Sequence, residues 1–81
     1  MEIAELEGRN RTRMNRLQEI VAMIKKNQKM PRHDVMIRIM RWYYSQVTAE
    51  RWIEELIMIG RIKQEGIDLV YNELAEDDHV N

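Results

Sequence analysis

An amphipathic helix, a short strand, a second helix, a tight turn, a third helix and a β-hairpin follow one another in the sequence, and this order predicts a winged helix-turn-helix. The expected fold class is mainly α, with three helices and a short antiparallel wing. A second observation is size: 81 residues, 44% of them hydrophobic, suffice for one modest core and one domain. We place that domain at residues 10–72, between a linker or flexible leader (1–9) and an acidic flexible tail (73–81).

The first helix is expected to begin at a capping residue, Asn10 or Thr12, and to run to about Asn27. Residues 1–8 contain three acids and end at Gly8, which indicates a tether ahead of the helix. Within the helix, apolar residues recur at intervals of three and four, the spacing of one buried face. They are Met14, Leu17, Ile20, Val21 and Ile24.

The second helix follows a candidate edge-strand residue, Met30. Pro31 suits the first turn of a helix, because its missing N–H has no helical partner there. The helix is expected to run to about residue 43, with Arg38 and Arg41 on its solvent side. Its buried side is expected to hold Val35, Met36, Ile39, Met40 and Tyr43.

The third helix has an expected N-cap at Ser45 and an expected stop at Gly60, a position that favours a positive φ. Strands at 61–64 and 67–71 would then form the wing, with Ile67, Leu69 and Tyr71 alternating onto one face. The helix is expected to point Ala49, Trp52, Ile53 and Leu56 inward, with Ile57 and Ile59 flanking them.

Charge is distributed unevenly along the chain. All 13 basic residues fall within 9–63, where only five acids occur, so this segment carries a net charge of +8 although the whole chain carries −1. A basic body can attract a polyanion, and it can equally be the solvated surface of two helices. The candidate contacts to nucleic acid, which we expect to be weak and non-specific, are Arg9, Arg11, Arg13, Arg16, Arg32, Arg38, Arg41, Arg51, Arg61 and Lys63.

The outward face of the third helix is the surface that enters the DNA major groove in this fold. A helical wheel places Val47 and five further residues on or beside that face. Three of them are glutamates and one is an arginine, a poor match for phosphates. The face therefore suits a protein better than DNA, and the candidate docking residues are Glu50, Arg51, Glu54, Glu55 and Met58.

No motif in the sequence indicates a catalytic site. No Gly-rich phosphate loop or nucleophile elbow occurs, and Glu54 and Glu55 point in different directions on a helix. A metal or acid–base pair at His33 and Asp34 is conceivable, but polar residues in a first helical turn are usually caps or solvated. We therefore expect that this chain is not an enzyme and that it binds neither a cofactor nor a metal. The absence of cysteine excludes disulfides and thiolate-metal sites and leaves the redox compartment open. Because the sequence has no signal peptide and no membrane-length apolar run, a cytoplasmic protein is the default expectation.

Three segments resemble one known family. The first is Leu6-Glu7-Gly8-Arg9-Asn10-Arg11-Thr12, and the others are 31–35 and 49–62. They are similar to the C-terminal winged-helix domain of archaeal minichromosome maintenance (MCM) replicative helicases, in which a Thr-Gly-Lys-Pro-Lys-Ser segment joins the ATPase core to this domain. Gly8, both basic positions and a hydroxyl are kept, and Leu17 lies where the family has a methionine. Asn10 and Met14 stand where the family has proline and arginine.

This resemblance implies a non-catalytic accessory domain of an ATP-dependent DNA helicase. Such a domain modulates the motor and docks replication proteins, for example origin-recognition or loader proteins, and the isolated domain is expected to be a monomer. Two alternatives stay open. One is a stand-alone winged-helix transcriptional regulator, which would need a dimer and a basic reading surface. The other is a winged-helix scaffold for protein interactions.

Overall fold

The computed structural model describes residues 2–74, and their side chains from Arg11 onward. Three helices and three strands follow in the order α1 (Glu2–Asn27), β1 (Lys29–Pro31), α2 (Arg32–Met40), α3 (Gln46–Met58), β2 (Ile62–Glu65) and β3 (Asp68–Tyr71). The predicted fold class is confirmed, because this is a mainly helical domain with a small antiparallel sheet and the element order of a winged helix-turn-helix.

The sheet places β3 in the centre, in the order β1-β3-β2, and both pairs are antiparallel. Leu69 in the middle of β3 faces Met30 on one side and Gln64 on the other, and it is fully buried. The single-residue strand expected at Met30 extends by one residue in each direction. Pro31 is tolerated there because β1 is an edge strand.

The core lies where the three helices meet the sheet. The four residues predicted to point inward from α3 are all buried, and Tyr44 packs a tilted ring on Trp52 with 4.5 Å between centroids. No buried polar or charged residue occurs among the described side chains. The remaining buried residues are Leu17, Ile20, Val21 and Ile24 from α1, Val35 and Ile39 from α2, and Ile62 and Leu69 from the sheet.

Both predicted ends of α3 are confirmed. The Ser45 hydroxyl accepts a hydrogen bond from the Thr48 N–H at 3.1 Å, which satisfies a donor of the first turn. At the other end Gly60 has φ +81°, and its N–H donates to Ile57 while the Arg61 N–H donates to Leu56. This pair of bonds is the Schellman arrangement that closes a helix.

The first helix begins earlier than predicted. Its backbone is helical from Glu2, so most of the expected linker (1–9) belongs to the helix rather than preceding it. The residues before Gly8 are mainly Glu, Ala and Leu, which have high helix propensity, and acids near a helix N-terminus are favoured by the helix dipole. One glycine costs about 1 kcal/mol in a helix, which does not end it. Of the expected tail, Glu73 and Leu74 are exposed, and 75–81 lie outside the described residues.

The second helix ends earlier than predicted, at Met40 instead of near residue 43. Tyr43 lies in the following turn with φ +69°, a left-handed conformation that turns its side chain outward, where it is 98% exposed. Tyr44 takes the inward position against Trp52 instead. Met40, the last residue of the helix, is 41% exposed, so the expectation that Tyr43 and Met40 are buried is wrong.

Two further apolar residues are more exposed than the pattern predicted. Met14 lies about one helical turn before Leu17, the first buried residue of α1, and is half exposed. Ile67 precedes the first residue of β3, so it lies in the hairpin turn, and 77% of it is exposed. The buried alternation of the wing starts at Leu69. In both cases the apolar pattern continues past the edge of the core.

The Ser45 cap gives a direct test of the fold description. Ser45→Ala is expected to lower the free energy of unfolding by about 1 kcal/mol, because it leaves the Thr48 N–H without its partner. Urea unfolding followed by circular dichroism would measure this. Ser45→Asp keeps an acceptor at the cap and serves as the control, with an unfolding free energy close to that of the unmodified protein. Equal losses for both variants would contradict the capping role.

Candidate recognition surfaces

The outward face of α3 contains the residues that the helical wheel placed there. Glu50, Arg51 and Glu54 are exposed, Met58 is 85% exposed, and Glu55 is half exposed at the margin. The inward side of the same helix is buried, so its orientation is set by the core. These side chains therefore face outward as the helical wheel indicated, and their role in docking stays a prediction.

Glu55 is held by an arginine from α1. The Arg13 guanidinium donates a hydrogen bond to the Glu55 carboxylate and forms an ion pair with it. The two residues are 42 positions apart in sequence, and both side chains are about two-fifths exposed. A residue predicted to contact nucleic acid is thus engaged with a residue predicted to dock a protein.

Glu54 is held by an arginine at the start of α2. Arg32 donates from Nη2 to the Glu54 carboxylate at 2.8 Å and from Nη1 to the Gln64 side-chain oxygen at 2.6 Å. One guanidinium therefore joins α2, α3 and β2. Because 61% of the Glu54 side chain is exposed, the pair contributes little to stability, and its main effect is on the charge of the surface.

These two ion pairs correct the predicted acidity of the α3 face. The charged residues of α3 itself are three glutamates and one arginine, Arg51. In the folded chain Arg13 and Arg32 lie beside them, so three carboxylates meet three guanidinium groups. The face is balanced in charge rather than acidic. Two of the arginines on it are already occupied by hydrogen bonds to the protein itself.

The other predicted nucleic-acid contacts are scattered over the molecule. Arg16 pairs with Glu19 at 3.5 Å, and its guanidinium lies 4.5 Å from the centre of the Trp42 ring. Arg61, half buried, lines a small cleft of about 100 Å³ between α1 and α3. Exposed side chains on α1, on α2 and the residue after it, and on β2 complete the set, and the Arg9 side chain lies outside the described residues. The exposed ones are Arg11, Arg38, Arg41 and Lys63.

A groove between α1 and α2 was not predicted. It consists of two adjoining depressions of about 460 and 270 Å³ that share Met23 and Arg38. The sequence offers one signal for it, since Ile37 is an apolar residue on the side of α2 opposite the buried stripe. The other lining residues are Glu19, Ala22, Lys26, Asn27 and Trp42 in the larger depression, and Met30, Asp34, Ile37 and Arg41 in the smaller.

Neither a metal centre nor an acid–base site is evident in the part of the chain with described side chains. His, Asp and Glu form no group of three there that could hold a metal ion, and His33 is exposed to solvent. Asp34 lines the groove instead of a closed site. Across residues 2–74, no helix combines the length and apolar content needed to cross a membrane.

The Arg32–Glu54 pair can be tested by a double-mutant cycle. Replacing both residues by glutamine, singly and together, should give a coupling free energy of roughly 0.2–1 kcal/mol in urea unfolding, as for other partly exposed pairs. In 1 M salt the coupling should shrink, because the Debye length falls to about 3 Å. A cycle of Arg32→Gln with Glu50→Gln, on the same face but unpaired, should give almost none. Equal coupling in the two cycles would contradict the pairing.

Comparison with known proteins gives the chain no family. No protein-family model matches it, and neither does any curated protein or solved structure. The resemblance to the minichromosome maintenance domain therefore stays a prediction. The function is therefore inferred from the fold and from the charged and apolar residues on its surface.

Proposed function

We propose that this chain is a non-catalytic winged-helix docking domain, the accessory domain of a replicative DNA helicase, which modulates the motor and binds replication proteins. The main support is the state of the α3 face, where Arg13 and Arg32 are engaged with glutamates of the same chain. A sequence-specific DNA-binding helix presents free donors to base edges and free cations to phosphates. This helix presents one unpaired arginine, Arg51, among three carboxylates.

The wing adds little positive charge to that face. Lys63 on β2 is exposed, and Glu65 and Asp68 face each other across the hairpin next to it. Phosphate contacts dominate the affinity of proteins for DNA, so a surface of balanced charge binds duplex weakly. Any contact with DNA is expected instead at Arg38 on α2 and Arg41 just after it, and it would be non-specific because these side chains lie outside the reading helix.

The attachment of this domain to a helicase is proposed only from the resemblance to the minichromosome maintenance winged-helix domain. A winged-helix scaffold would share the same docking surfaces, so the two functions differ in what the domain is attached to. The coding sequence upstream of Met1 distinguishes them. Continuation into a Walker-type ATPase is the expected result, and an open reading frame that starts at Met1 would contradict the helicase assignment.

The DNA part of the proposal is tested by an amide chemical-shift titration with a duplex at 50 and 200 mM salt. We expect shifts around Arg38 and Arg41, with affinity falling roughly 10- to 40-fold between the two salt concentrations for two or three phosphate contacts. Arg38→Gln with Arg41→Gln should remove most of the binding. Arg51→Gln, the matched control on α3, should leave it within about twofold.

Shifts centred on α3 and the wing would overturn this assignment. They would indicate that the face of balanced charge binds DNA after all, and they would favour a transcriptional regulator over a docking domain. An absence of shifts at 50 mM salt would remove the DNA contact from the proposal and leave protein docking as the sole function.

A further inference from the structure

The floor of the α1–α2 groove is apolar and deformable. Met23 on α1 and Met30 on β1 are partly buried against the core and also line the groove. Ile37 is 39% exposed, and Trp42 forms part of the wall of the larger depression. Methionine side chains adapt to different partners because they are unbranched and polarisable. This floor is suited to apolar side chains inserted from outside.

The rim of the groove is basic. Lys26, Arg38 and Arg41 are exposed, and none forms an ion pair with another residue of the described chain. Of the two acids that line it, Glu19 is neutralised by Arg16 at 3.5 Å, which leaves Asp34 in the first turn of α2. The rim therefore has an excess of unpaired positive charge, unlike the α3 face.

The wall of the groove is held in place by a contact between α1 and the end of α2. The Arg16 guanidinium lies over the Trp42 ring at 4.5 Å, a cation–π geometry that occupies one face of the indole. The larger depression is lined by this same tryptophan and by Arg38. Trp, Arg and Met are the residue types enriched in the buried centres of protein interfaces.

We propose that the α1–α2 groove binds an acidic amphipathic helix of a partner protein. Apolar side chains of that helix fill the floor over Met23 and Ile37, and its carboxylates pair with Lys26, Arg38 and Arg41. The groove follows α1 from Glu19 to Asn27, about 12 Å, which accommodates about two turns of a bound helix. This inference rests on the proposed docking function and names the class of partner.

A protein helix fits this groove better than a nucleic acid. Phosphates would use the cations of the rim but would leave the apolar floor uncovered. An acidic amphipathic helix uses both parts, because its charged and apolar residues are placed on opposite sides at the spacing of three and four. Nucleic acid and such a helix would compete for Arg38 and Arg41.

The test uses a 14-residue helical peptide with leucines at i, i+3, i+4 and i+7 and glutamates at the surface, titrated into the full 81-residue chain. A peptide with lysine in place of every glutamate is the matched probe. We expect the acidic peptide to shift the amides lining the groove and the indole N–H of Trp42, and the basic peptide to leave them unchanged. The expected dissociation constant lies in the micromolar range or weaker.

Two variants separate the groove from the rest of the surface. Arg38→Glu with Arg41→Glu is expected to weaken binding about tenfold or more, since it removes two charge pairs and adds repulsion. Arg51→Glu on α3 is the matched charge reversal outside the groove and should change binding less than about twofold. All three substituted side chains are exposed, so circular dichroism should show unchanged folding. Ile37→Asp tests the floor and should also weaken binding.

Each contrary result has a distinct meaning. Shifts centred on α3 with equal affinity for all variants would overturn the groove and leave the docking function standing. Binding of the basic peptide as tight as that of the acidic one would overturn the charge argument. No binding of the acidic peptide at 1 mM would reject the inference, as would duplex DNA binding the groove more tightly than the peptide at the same salt concentration.

Discussion

Burial of one side of α3 is the constraint on which the other features depend. Trp52, Ile53 and Leu56 are buried in one cluster with residues of α1, α2 and the sheet, and this fixes the rotation of the helix about its axis. Since each residue of an α-helix is turned by about 100° from the previous one, burying these three positions directs Glu54 outward and Glu55 to the margin of the outward face. There they meet Arg32 and Arg13, so the packing of the core determines which charges pair.

The cations of the chain are thereby divided into two groups. Arg13, Arg16 and Arg32 are engaged with carboxylates, and Arg16 also lies over the Trp42 ring. Arg38 and Arg41 remain unpaired beside an apolar groove. The sum of +8 over residues 9–63 hides this division, because it counts an arginine held by a glutamate the same as one free to bind a ligand. Arg51 on α3 is also unpaired but lies among three carboxylates, whereas Arg38 and Arg41 line the groove, which moves the expected recognition surface to α1 and α2.

Local patterns in the sequence predicted much of the fold, whereas contacts between distant segments could not be predicted. The inward positions of α3, the Ser45 cap and the Gly60 stop follow from residue spacing and local hydrogen bonding, and all are confirmed. The pair between Arg13 and Glu55 joins positions 42 apart, and the groove depends on how α1 packs beside α2. The outward turn of Tyr43 depends on a positive φ at a non-glycine residue, which spacing does not indicate.

Arg13 and Arg32 are held by glutamates of α3, whereas Arg38 and Arg41 form no ion pair with the described residues. Nuclear magnetic resonance of ¹⁵N-labelled arginine side chains measures this directly, through the heteronuclear relaxation of each Nε–H group in the unliganded protein. We expect ordered Nε–H groups for Arg13 and Arg32, and mobile ones for Arg38 and Arg41. If Arg13 and Arg32 were as mobile as Arg38 and Arg41, the two ion pairs would not hold them in solution and the α3 face would be open to ligands.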